Sequence, residues 1–308
     1  MEPRARIVEV DAGHAGQRLD NFLLRLCKGV PKSHIYKAIR SGEVRVNRGR
    51  ARATTRLACG DQVRVPPMRM APVEQARWVP PAVFPVIFED ESLLVIDKPA
   101  GVAVHGGSGV AFGVIEQLRA ARPPGAFLEL AHRLDRETSG VLVLAKRRTA
   151  LLGVQEALRD AQCRRCYDAF VEGDWVNERQ HLRQPLLRWL TAQGERRVRV
   201  DPEGKRAHTI VSLRRRLGPC SWVQAELRTG RTHQIRVHLA HAGHPVLCDD
   251  KYGSASVREH YRERGYRRMF LHASMLEMVH PRTGATMCWQ AALPEDFGRL
   301  INELENEQ

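Results

Sequence analysis

The nonapeptide HRLDRETSG, residues 132 to 140, separates the apolar runs Phe127-Leu128-Glu129-Leu130 and Val141-Leu142-Val143-Leu144. Short apolar runs of this kind read as buried strands. The chain therefore has to fold here as strand, charged loop and strand, with Asp135 on the loop. Two arginines, a histidine and an aspartate between buried strands serve no obvious packing purpose, and loops on a rigid scaffold are where chemistry tends to sit. An ion-paired structural turn is the alternative reading.

The text around this loop predicts the rest of its domain. From residue 85 onward strand signals recur at Leu93 to Ile96, Tyr167 to Val171, Arg197 to Val200, Thr209 to Leu213 and Val223 to Leu227. Helical spacing appears near Val114 to Ala121, Thr149 to Arg159, Ile235 to Ala242 and Phe297 to Leu304. The pattern predicts an α+β domain over 85–308 with a largely antiparallel mixed sheet. Pro66-Pro67, Pro72 and Pro80-Pro81 mark a linker over 66–84.

Residues 1–65 read as a separate small unit. Leu19, Phe22, Leu23 and Leu26 have helical spacing, and Ile35, Ala38 and Ile39 predict a second helix behind Pro31, stopped by Gly42. The polar face of that second helix carries Lys32, Lys37 and Arg40. Val44 to Asn47 then alternates as a strand, Gly49 is expected to supply a turn, and Gln62 to Val65 closes the unit.

Charge narrows the partner. The chain carries a formal +14, and residues 1–80 hold 16 Lys and Arg against 7 Asp and Glu. A basic excess of this kind suits a phosphate backbone, whose counterions it would release. No apolar run approaches the roughly 18 residues of a spanning helix, and the N-terminus lacks a signal-peptide apolar region, so no membrane partner and a cytoplasmic location are expected. Seven scattered cysteines, an odd number, do not resemble a secreted disulfide framework.

Three further segments carry more polar detail than folding needs. Residues 86–109 run from a buried strand through Lys98-Pro99-Ala100-Gly101 into a glycine-rich turn; no Gly-Lys-Ser/Thr follows, which disfavours a nucleotide P-loop. CRRCYDAFVEGDW (163 to 175) places Arg165 and Tyr167 on one strand, and its lone Cys163/Cys166 pair could be half a zinc site or a redox pair. ELRTGRTHQIRVHLAHAGHPVLCDDKYG (226 to 253) holds His233, His238, His241 and His244, which could be metal ligands but lack an HExxH pattern, so interfacial or RNA-facing histidines explain them more simply.

In this order and spacing the four segments resemble the RluA-type family of pseudouridine synthases. The nonapeptide is similar to the signature around that family's reactive aspartate, and the likeness continues through Arg165-Cys166-Tyr167, GRTHQIRVH (230 to 238) and RMFLHASMLEMVHP (268 to 281). RLDNFL (18 to 23), PKSHIYKAIRSGEVRVN (31 to 47) and GDQVRV (60 to 65) resemble the alpha-L RNA-binding module of a small-subunit ribosomal protein.

The resemblance implies isomerisation of uridine to pseudouridine in large-subunit ribosomal RNA, by a monomer needing no cofactor, metal or ATP. It implies that Asp135 is the reacting carboxylate, ion-paired to Arg236. Tyr167 would stack on the target base and serve as base at carbon 5, with Leu271 on the other side of the base pocket. Arg133 would fill the space left by the flipped nucleotide, and His132 would join it among the substrate contacts. Lys32, Lys37 and Arg40 would dock the RNA. Two positions depart from the family: Arg165 stands where lysine is usual and Cys248 where glycine is usual. A ribosome-assembly factor with an inert loop, and a zinc hydrolase using the histidines, are the competing classes.

Overall fold

Proline and glycine set the limits of the first helices. In α1 (Leu19–Leu26) and α2 (Lys32–Ser41), Pro31 precedes the first turn of α2, and Gly42, at φ +80°, ends it with its N–H donated to the Ile39 carbonyl. Leu19, Phe22 and Leu23 meet Ile35, Ala38 and Ile39 in one buried cluster with Val63 and Val65. A small sheet of order β1 (Arg6–Glu9), β4 (Gln62–Val65), β2 (Arg45–Val46) and β3 (Gly49–Arg50) completes this unit. The turn between β2 and β3 corrects the expectation for Gly49. Asn47 and Arg48 carry the positive φ values, +48° and +67°, as a two-residue hairpin turn demands, while Gly49 already belongs to β3.

The computed structural model describes residues 5–11, 13–27, 29–68, 79–107, 110–123, 125–192 and 194–307. Pro72 of the expected linker, with Ser108 and Gly109 of the glycine-rich turn, lies outside them. The chain divides into two compact units, Met1–Val79 and Pro80–Gln308.

The second unit is built on a ten-stranded sheet. Its elements in chain order are β5 (Val86–Glu89), β6 (Leu93–Lys98), α3 (Val114–Ala120), β7 (Glu129–Leu130), β8 (Ser139–Ala145), α4 (Arg148–Arg159), β9 (Cys163–Glu172), β10 (Arg179–Leu182), β11 (Leu186–Leu190), β12 (Arg196–Val200), β13 (Thr209–Arg216), β14 (Cys220–Leu227), α5 (Gln234–His241), α6 (Ala255–Glu263), β15 (Leu271–Val279), β16 (Thr286–Gln290) and α7 (Glu295–Asn306). The sheet order is β10-β13-β14-β9-β15-β8-β6-β5, with β16 beside β15 and β7 beside β8, while β11 and β12 pair as a separate hairpin.

β6 and β8 are apolar at every position from 93 to 96 and 141 to 145 because both of their faces are covered. Leu93, Val95, Val141 and Val143 pack with Ala150 and Val154 of α4, whereas Leu94, Ile96, Leu142 and Leu144 pack with Val114, Ile115 and Leu118 of α3. Each such side chain contributes about 1.5–3 kcal/mol by leaving water.

Among the described strands one pair is parallel: β8 beside β15, with Ser139 opposite His272 and Gly140 opposite Ala273. This pairing brings two N-terminal strand ends together, so the loop before β8 and the first residue of β15 emerge side by side. Gly140 permits it. Its φ is +108°, and a Cβ there would stand 2.2 Å from the Ala273 carbonyl oxygen.

Candidate active site

Asp135 lies on the loop that feeds β8, and that loop is stapled to the turn after β6. Lys98, fully buried, donates its Nζ protons to the carbonyls of Pro99 (2.7 Å), Val102 (2.8 Å) and Arg136 (3.1 Å). Three acceptors match the three N–H donors of an ammonium, although burial pulls its pKa down to about 7. Gly101 N–H also donates to the Arg136 carbonyl, and Arg136 Nε to that of Gly101. The aspartate is thus presented by a loop with little freedom.

Arg236 of α5 reaches the carboxylate, donating Nη1 to Asp135 Oδ2 at 3.2 Å. Its remaining N–H groups are committed elsewhere: Nε and Nη2 form two 2.6 Å bonds to the carboxylate of buried Asp249, and Nη2 also meets Asp250 at 3.1 Å. Burial opposes the charge of Arg236, but the hydrogen bonds and attraction of Asp249 and Asp135 outweigh it and raise its pKa. Asp249 in turn accepts the backbone N–H groups of Lys251 and Tyr252. His233, in the left-handed region at φ +51° just before α5, shares a 2.8 Å hydrogen bond between Nδ1 and the Tyr252 hydroxyl and stands 3.8 Å from Asp135 through Nε2. Burial holds its pKa low.

Tyr167 and Leu271 come from neighbouring strands, β9 and β15, and line the same cavity as Asp135 and Arg236. Burial pushes the Tyr167 phenol up to about 12. Arg133 and His132 also line the cavity, but in different ways. Arg133 is exposed and has no hydrogen bond or ion pair among the described residues. His132 accepts the Val143 N–H on Nε2 at 3.1 Å, and burial lowers its pKa to about 4, so it braces β8 as a neutral ring.

The cavity measures about 1210 Å³, and eleven Arg and Lys side chains line it against two carboxylates, Asp135 and Glu195. Arg188, Arg196 and Arg197 come from the β11–β12 hairpin, which the sequence reading left without a role. Among the described residues this is a concave, strongly cationic surface around the Asp135 carboxylate, suited to a phosphodiester-linked substrate.

A sequence model of RNA pseudouridylate synthases matches residues 92–241, and an S4 domain model matches residues 17–63. The chain is 48% identical over 305 residues to ribosomal large subunit pseudouridine synthase C of Yersinia pestis, covering 97% of this chain and 95% of that protein. With the protein of that name from Escherichia coli (strain K12) it shares 46% identity over 312 residues, covering 99% and 98%. This chain belongs to the RNA pseudouridylate synthase family. Among solved structures, human RNA pseudouridylate synthase domain containing 4 superposes with a TM-score of 0.58 at 25% identity, covering 72% of this chain and 93% of that one. The enzyme is thus an RNA pseudouridine synthase of α+β fold with an S4 domain ahead of its catalytic domain.

Other expected sites fall outside this cavity or lose their chemistry. Lys32, Lys37 and Arg40 are exposed on α2 of the first unit. Cys163 and Cys166 are three apart on a strand, which sends them to opposite faces, and all seven cysteines are free. The synthase's histidines have separate partners: His238 is buried between the Thr209 hydroxyl and the Gln184 carbonyl, and His244 bonds the Glu172 carbonyl. His238 therefore faces the core and cannot face RNA. No helix among the described residues is long and apolar enough to cross a membrane.

Three contributors were present in the sequence without the roles the structure gives them. His233 and Asp249 stood inside quoted motifs, and Lys98 opened another. Their types were visible, but nothing in linear text indicated that Asp249 would grip Arg236 or that Lys98 would bind a carbonyl 38 residues away.

Proposed function

We propose that this synthase isomerises uridine to pseudouridine in large-subunit ribosomal RNA, with Asp135 as the reacting carboxylate and the target nucleotide flipped into the 1210 Å³ cavity. The observation that carries the reading is the Asp135 carboxylate, held at 3.2 Å by a buried Arg236 inside a cavity whose charged lining is mostly cationic. The names of its bacterial relatives supply the RNA.

Flipping is required because a stacked, paired uridine hides its anomeric carbon, and extrusion costs a few kcal/mol. Arg133, whose exposed side chain lines the cavity without a hydrogen bond or ion pair among the described residues, would occupy the space the base leaves. Tyr167 and Leu271 would flank the uracil. As the bond between ribose C1′ and uracil N1 breaks, its electron pair leaves on the base, and Asp135 either bonds to C1′ or accepts a ribose proton. The uracil turns in place, and C5 bonds to C1′ as the Asp135–C1′ bond breaks or, on the other route, as Asp135 returns the ribose proton; the C5 proton then departs and N1 takes one up. A uracil anion spreads charge over its carbonyls and needs less acid assistance than an alkoxide, so a single carboxylate suffices. Lys32, Lys37 and Arg40 would dock RNA through phosphates. The reading places the enzyme in the cytoplasm as a monomer, working without metal or cofactor.

Tritium release from ribosomal RNA labelled at uracil C5 tests this. Wild type is expected to release tritium, and Asp135→Asn to lose at least about 10³-fold in rate while still binding RNA. An Asp135→Asn rate equal to wild type would remove Asp135 from the chemistry, and RNA binding without any release by wild type would favour an assembly factor instead.

A further inference from the structure

Arg165 lines the cavity as a cation with no hydrogen-bond or ion-pair partner among the described residues. It lies two residues before Tyr167 on β9, hence on the same face of that strand, and both line the cavity with Asp135. Its Nε and Nη2 are buried and donate to nothing among the described residues. The other arginine beside Asp135, Arg236, has the opposite arrangement, with every nitrogen engaged. Unsatisfied buried guanidinium N–H groups are costly, and the fold keeps them that way. Gly230 leaves the room: a Cβ there would stand 2.8 Å from Arg165 Nη1. The positive charge is felt by both neighbouring rings, lowering the proton affinity of His132 and of Tyr167 against the larger effect of burial on the phenol.

We infer that Arg165 is a catalytic residue that donates its free N–H groups to a carbonyl oxygen of the target uracil and stabilises the negative charge the detached base carries. The inference rests on the reading of the cavity as a uridine site. When the C1′–N1 electron pair departs with the base, O2 and O4 of the uracil become better acceptors, so a fixed donor beside Tyr167 binds the anion more tightly than the uridine. That difference is what accelerates a reaction. The charge is neutralised when C5 bonds to C1′, and the C5 proton is then replaced by one at N1, so the base is released from Arg165 at the product stage. A phosphate oxygen would satisfy the same N–H groups, and the two acceptors separate experimentally.

Single-turnover tritium release and RNA binding at several salt concentrations are measured for wild type, Arg165→Met, Arg165→Lys and Gly230→Ala, with thermal melts to confirm folding. Arg165→Met is expected to lower the rate at saturating RNA by about 10²-fold, as loss of an anion-stabilising donor does, with affinity and salt slope unchanged. Arg165→Lys should recover most of the rate, and Gly230→Ala, which crowds an intact guanidinium, should lose about tenfold. If Arg165→Met does not fold, a Gly230→Ala rate equal to wild type overturns the inference and a selective rate loss supports it. An unchanged rate in folded Arg165→Met overturns it, as does weaker binding with a salt slope reduced by about one, which marks a phosphate contact. Because every rate is relative to wild type, failure of Arg165 is distinct from failure of the uridine reading, in which wild type itself releases no tritium.

Discussion

Arg236 serves three carboxylates unequally. Its two short bonds to Asp249 fix the plane of the guanidinium, so the contact to Asp135 is made by a group already oriented and already neutralised. Removing the charge of Asp135 therefore leaves no orphaned buried cation, and Asp135→Asn reports on chemistry rather than folding. Tyr167 poses a separate question. With its phenol pushed up to about 12, only roughly one molecule in 10⁵ carries tyrosinate at pH 7, so the hydroxyl can take the C5 proton only by passing its own proton onward. Tyr167→Phe is expected to keep RNA affinity within about threefold and to slow C5 tritium release by at least about tenfold if that relay operates; equal release would leave Tyr167 as a stacking surface alone. Asp135 stood out on its charged loop, whereas Tyr167 and Arg236 were picked out by the family resemblance. Cys248 shows what residue type leaves out: it stands where the family usually has glycine, at φ +61°, a backbone conformation that favours glycine.

At the scale of elements, Gly140 controls the join between β8 and β15. Any side chain there meets the Ala273 backbone at 2.2 Å, and backbone cannot give way as a flexible side chain can. Gly140→Ala should destabilise the protein by about 3 kcal/mol or more, read as a lower urea midpoint, and should lower activity in whatever fraction stays folded; an unchanged midpoint would show that the two strands separate at no cost. Strands with both faces buried, such as Leu93 to Ile96 and Val141 to Leu144, were visible as apolar runs. β15 and α6 were not visible for the opposite reason. β15 mixes His272, Ser274 and Glu277 into its apolar text, and α6 buries only Tyr261. The antiparallel character of the sheet was legible, but its one described parallel pair joins residues 133 positions apart, as the Ser139–His272 bond records. No local pattern encodes a partner at that distance.

For the molecule as a whole, charge was legible in amount better than in place. Residues 81–308 carry only +5, yet they concentrate eleven cations around one cavity by drawing them from separated loops and strands. Stability should also depend on pH through two neutral histidines. His132 and His272 both bond to β8, and burial lowers each to about 4. A folded pKa below the unfolded value of about 6.5 means that the unfolded chain takes up protons first as pH falls. Stability is therefore complete above about pH 6.5 and declines toward pH 4, by up to about 1.4 kcal/mol per pH unit for each histidine. Urea titrations from pH 7.5 to 5 should show this slope, and a flat profile would mean that neither ring resists protonation.

The β8–β15 join also sets an order of events during synthesis. Asp135 leaves the ribosome well before Leu271, and at roughly 5–20 residues per second the interval between them lasts on the order of ten seconds. Throughout it, β8 lacks one of its neighbours and the cavity has no Leu271 wall. The pocket around Asp135 is therefore complete only after the chain has been made through Leu271.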